Sequence, residues 1–98
     1  MKLQVEVKEI EGTCPVYEVG DEFEIIEGYK LDNEIQLCTH SLSSLLPYYV
    51  PLSKGIEPEE LGLGHGENAY IQCLDPCKYT DGGTVVFEIK REKIDESI

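Results

Sequence analysis

Leu3-Gln4-Val5-Glu6-Val7-Lys8 near one end of the chain and Thr84-Val85-Val86-Phe87-Glu88-Ile89-Lys90 near the other decide the fold. Successive side chains of a strand point to opposite faces, so strict alternation marks a sheet with one buried face. The first stretch reads as one alternating strand over residues 3–10, with Leu3, Val5 and Val7 on one face, opposite Gln4, Glu6 and Lys8. In the last, Val85, Phe87 and Ile89 share one. Between them the pattern recurs twice. Phe23, Ile25 and Ile26 stand among Glu22, Glu24 and Glu27, after the Val19-Gly20-Asp21 turn and before Gly28. Ala69, Ile71 and Cys73 alternate with Tyr70, Gln72 and Leu74, ahead of Asp75-Pro76.

The segments between these strands read as breaks, loops and one helical region. Glu11-Gly12-Thr13-Cys14-Pro15 ends the first strand, and Asp81-Gly82-Gly83 is a turn before the last. Residues 29–37 form either a short hairpin about Asp32-Asn33 or a loop. A helix starts near Thr39 or Ser41, either of which can cap it. Leu42, Leu45, Leu46 and Tyr49 then fall at i, i+3, i+4 and i+7, and extending the stripe back four residues reaches Cys38. Pro47 lacks a donor and clashes with the preceding turn, so two short pieces with Pro47 opening the second fit better than one helix. Residues 56–67 are acidic and glycine-rich and read as an exposed loop, and the tail over 92–98 is expected to fray. Strands, then helix, then strands predict one α+β domain over 1–98. Its mainly antiparallel sheet has four to five strands, with the short or Pro-broken helix packed on one face.

Composition excludes several functions. The chain has 98 residues and carries 20 acidic against 8 basic side chains, a net charge of −12. Nucleic-acid affinity is drawn from Lys and Arg on phosphates, so this charge argues against it, as it does against anionic membranes. Met1 to Glu6 holds no apolar signal core and no long apolar run occurs, so a cytoplasmic protein is expected. No serine triad, P-loop or dinucleotide fingerprint is present, which leans away from an enzyme.

Four cysteines remain: Cys14, Cys38, Cys73 and Cys77, with 23, 34 and 3 residues between successive members. In a reducing compartment such a set points to metal, redox chemistry or burial before structural disulfides. As zinc or iron ligands, Cys14, Cys38 and Cys73 would take Cys77 or His40 as a fourth, each at an element boundary. Paired knuckles of Cys-x2–4-Cys spacing are the usual sign of structural zinc, and Cys73-x3-Cys77 is the one such pair. An iron–sulfur cluster would use the same ligands. Alternatively Cys38, just ahead of the helix, is a reactive thiol with His40 as its base and Cys14 or Cys73 as resolving partner. The plain alternative is that Cys38 continues the leucine stripe as a small core residue. A third class is an interaction module, its acidic surface meeting a basic partner or its sheet edge pairing in a homodimer. Gly62-Leu63-Gly64-His65-Gly66 has no strand before it and no Lys or Arg beside it, so it reads as a loop, not an anion nest. Asp75 reads as a turn cap before Pro76.

Several ordered motifs carry a resemblance. Gly12-Thr13-Cys14-Pro15 with Val19-Gly20-Asp21-Glu22-Phe23, Leu37-Cys38 with Leu46-Pro47-Tyr48, and Cys73-Leu74-Asp75-Pro76 with Val85-Val86-Phe87-Glu88-Ile89 resemble a family of small uncharacterised prokaryotic proteins over residues 3–91. The resemblance implies that Cys14, Cys38 and Cys73 belong to a shared pattern. It marks Cys77 as an addition of this sequence and Leu74 as a replacement for proline. It implies no activity.

Overall fold

The computed structural model describes residues 1–92. Five antiparallel strands, β1 (Lys2–Gly12), β2 (Glu22–Ile26), β3 (Lys30–Asp32), β4 (Ala69–Gln72) and β5 (Gly83–Glu92), form one sheet in the order β3-β2-β1-β5-β4. With α1 (Thr39–Leu45), α2 (Tyr49–Ser53), α3 (Cys77–Thr80) and a 3₁₀ turn over Pro58–Leu61, this is a small α+β fold. No described helix is long and apolar enough to cross a membrane. The two stretches that announce the sheet lie side by side at its centre, Val5 opposite Ile89 and Val7 opposite Phe87. Glu92 pairs with Lys2 as the end of β5; the rest of the expected frayed tail lies outside the described residues.

Leu3, Val5, Val7, Phe23, Ile25, Ala69, Ile71, Val85, Phe87 and Ile89 bury one face under Leu45 and Leu52 of the helices. Burying a side chain such as Phe87 contributes about 1.5–3 kcal/mol. The opposite face carries polar and charged side chains, among them Lys2 on Glu24 and Glu92 at 2.9 Å each. Glu88 sits on this open face yet is only 6% exposed. It accepts the Tyr70 hydroxyl at 2.7 Å, and Lys8 and Lys90 flank it at 3.8 Å. The Tyr70 hydrogen bond, with lesser help from the two lysines, holds its carboxyl below the ordinary range.

Several local expectations change. The alternation in β1 does not run on to Ile10: the register slips between Val7 and Glu9, and this bulge puts Ile10 opposite Val85. The hairpin turns not at Asp32-Asn33 but at Glu27-Gly28, both at positive φ, with Tyr29 N–H donating to Ile26 O at 3.3 Å. Neither Thr39 nor Ser41 caps α1, whose N-cap is Cys38, and α2 begins at Tyr49, two residues after Pro47. The buried stripe is Ser41, Leu45 and Leu52, while Leu46 is 63% exposed. Apolar spacing alone could not choose between neighbouring faces, because Leu42, Leu45 and Leu46 fit either. The hydroxyl of Ser41, satisfied by Tyr17 and Cys38, settled it. The loop over 56–67 contains the 3₁₀ turn, started by the buried Pro58. The one-turn helix α3 follows Pro76, where the sequence showed no periodicity to read.

Candidate functional site

Three loops meet at one end of the sheet. Thr13 N–H donates to Gly82 O at 3.0 Å, which ties the segment after β1 to the α3–β5 turn. A Cβ on Gly83 would overlap the backbone of Thr13 and Cys14, so glycine is what lets these chains close up. The connection into α1 completes the ring. Between them lies a cleft of about 250 Å3 whose walls include Cys14, Tyr17, Cys38, His40, Ser41, Cys73 and Asp75.

Tyr17 organises the cleft. It is 4% exposed and packs edge to face on Phe87, with ring centroids 5.6 Å apart. Cys38 N–H donates to its hydroxyl at 2.9 Å, and Ser41 Oγ donates to Cys38 O at 2.7 Å. Since that bond uses the one Ser41 hydroxyl proton, the 2.8 Å contact between the two hydroxyls has Tyr17 donating to Ser41. A closed ring of three hydrogen bonds therefore surrounds the backbone of Cys38. Burial pushes the Tyr17 phenol above its ordinary value, so it keeps the proton this ring requires.

The three cleft thiols differ in their surroundings. Cys73, buried at the end of β4, accepts Val85 N–H at 3.2 Å and donates to Gly83 O at 3.6 Å, the pattern of a protonated thiol satisfied in a core. Half-buried Cys14 accepts Tyr17 N–H at 3.3 Å, closing the turn after β1. Cys38 Sγ makes no hydrogen bond among the described residues, although its backbone is held on both sides. All four cysteines are free thiols.

Cys14, Cys38, Cys73 and His40 thus line one cleft. Of the two candidate fourth ligands, His40 lines this cleft and Cys77 does not. Its sulfur lies against Gly12, where any Cβ would collide with it. Its N–H reaches Thr84 Oγ1 at 3.4 Å. Among the described residues no three His, Cys, Asp or Glu side chains stand close enough to hold a common metal ion. Asp75 is a turn cap: its carboxylate accepts the Thr80 hydroxyl and its carbonyl accepts Thr84 Oγ1 at 2.6 Å.

Comparison with protein-family models, curated proteins and solved structures finds no match to this chain. Tyr17 and Ser41 are the site residues that sequence reasoning passed over. A polar residue on the buried side of the helix, Ser41 one step off the leucine stripe, was the available signal.

Proposed function

We propose that the protein acts through this cleft as a thiol protein, with Cys38 as the reacting group. The observation that carries the reading is that Cys38 alone of the three cleft sulfurs is uncommitted, while the hydrogen-bonded ring holds its backbone in place. Positioning of that kind lowers the entropic cost of bringing a reactant to the thiol. His40 lines the same cleft and is the candidate base. The step is thiol–disulfide exchange: the Cys38 thiolate attacks one sulfur of a disulfide substrate, a mixed disulfide forms, and the second sulfur leaves as a thiolate. Cys14 is the candidate resolving thiol.

The test is the rate at which Cys38 reacts with a small disulfide and with an alkylating reagent, located by peptide mass analysis. Faster reaction than free cysteine, lost in Cys38→Ser and kept in Cys77→Ser, supports the reading. A rate no faster than that of free cysteine refutes it.

A second reading is favoured by the convergence of Cys14, Cys38 and Cys73 with His40. A zinc or ferrous ion would have to draw the Cys14 loop and the start of α1 toward Cys73, which the β4–β5 ladder fixes, and would displace the thiol proton that Cys73 gives to Gly83. Elemental analysis of untagged protein purified without oxygen decides this. Stoichiometric metal, lost in Cys14→Ser and kept in Cys77→Ser, would support it, and metal-free protein would exclude it.

A further inference from the structure

We propose that the free edge of β3 receives an extended segment of a basic partner protein, one whose side chains alternate between apolar residues and Lys or Arg. The cleft reading is independent of this one, since the edge lies on different elements and uses no cysteine.

Three observations meet at this edge. First, β3 ends the sheet, and among the described residues no strand pairs with its outer side, so its free backbone groups can continue the ladder. Second, the helix side of the edge is an apolar groove of about 190 Å3, walled by Leu31, Leu42, Leu46 and Tyr49. Its rim exposes Tyr29 at 70%, Leu46 at 63% and Leu31 at 48%. Third, the other side of the same edge is a concavity whose carboxylates are Asp21, Glu22, Glu24, Asp32 and Glu34. Lys2 holds Glu24, Gln4 Nε2 donates to Glu22 at 3.1 Å and Glu18 N–H donates to Asp21 at 2.9 Å. Asp32 and Glu34 make no such side-chain contact among the described residues.

The register ties these together. Leu31 pairs with buried Ile25 and so points to the groove, whereas Asp32 pairs with Glu24 and points to the concavity. A strand added beside β3 would meet the same two environments in alternation. Every second side chain would enter the groove, and the others would face Asp32 and the carboxylates around it, beside Lys30, whose charge Glu27 holds at 3.3 Å. That pattern selects apolar–basic alternation. Charge decides the occupant: at −12 per chain, two copies repel, and edge-to-edge pairing would bring both acidic concavities together. The shortness of β3 and its Lys30 guard against indiscriminate pairing.

The experiment measures fluorescence anisotropy of a short labelled peptide alternating valine and lysine against the whole chain. Binding is expected. It should weaken by about tenfold or more in Leu46→Asp, at an exposed position of the groove, and at about 1 M salt, where the Debye length is about 3 Å. If Leu46→Asp misfolds by amide NMR, Asp32→Asn combined with Glu34→Gln serves in its place. A peptide methylated on alternate backbone nitrogens should lose binding. The proposal is overturned if the methylated peptide binds equally, if a valine–glutamate peptide binds as well, or if the protein dimerises through this edge.

Discussion

Replacing Tyr17 by phenylalanine isolates the ring around Cys38. The aromatic body stays, with its edge-to-face contact on Phe87, so little apolar burial is lost. The missing hydroxyl removes one acceptor, leaving Cys38 N–H without its 2.9 Å partner, and one donor to Ser41 at 2.8 Å. Ser41 keeps its own bond to Cys38 O. An unsatisfied buried group costs about 1–3 kcal/mol. Cys38 N–H borders an open cleft that water can enter, which points to the lower part of that range, about 1–2 kcal/mol. At roughly 4–8 °C per kcal/mol for a domain of this size, the melting temperature should fall by about 4–16 °C. Urea titration should give a lower midpoint at unchanged slope. Native-state hydrogen exchange supplies the local readout: the Cys38 amide should exchange faster than global destabilisation explains, while the Val5 amide follows the global change. Stability within about 0.5 kcal/mol of the parent, the usual scale of a neutral surface change, together with unaltered Cys38 exchange, would refute the ring.

Gly12 has φ +82°, and an added Cβ would collide with the carbonyl of Gly82 and the sulfur of Cys77. Gly12→Ala should therefore cost more than the roughly 1 kcal/mol of a left-handed alanine alone, measured by denaturant titration. Glu88 is held below the ordinary carboxyl range in the folded protein, so its contribution is present above the unfolded value and is lost as pH falls through the folded one. Stability curves of the parent and Glu88→Gln should accordingly converge at acid pH and separate toward neutrality, with the parent the more stable. Leu45→Ala should cost about 2–5 kcal/mol as a buried leucine, whereas Leu46→Ala, one residue on and exposed, should fall within about 0.5 kcal/mol of the parent. Thermal unfolding of the two separates the observed helix face from its neighbour.

The parts of the fold legible beforehand were those governed by the shortest period. Two-residue alternation needs no partner to be read, and it located β1, β2, β4 and β5 with the faces of Val5, Phe23, Ile71 and Phe87. The bulge at Val7 was hidden because it depends on β5 lying opposite. Asp32-Asn33 carries the stronger local turn chemistry, which leaves residues 29–37 open between a hairpin turn there and a loop. Glu27-Gly28 wins because it sets Leu31 beside Ile25. For the site, sequence marked Cys14, Cys38, Cys73 and His40 as chemistry-bearing residues at element boundaries. The resemblance sets Cys77 apart from that trio, but the three-residue spacing from Cys73 says nothing of the turn after Pro76 that carries its sulfur to Gly12.

Residue order and composition alone dictate a one-sided antiparallel sheet, a helical segment broken near Pro47 and an acidic surface. These follow from side-chain alternation, proline's missing donor and the count of carboxylates, all properties of neighbouring residues or of the sum. Tertiary structure alone decided that the two end strands pair at the centre and that β3 is an edge. It also decided that three distant cysteines face one cleft while the fourth does not. Those outcomes rest on long-range register and on Tyr17 closing its hydrogen bonds across 21 and 24 residues of chain, which no local pattern encodes.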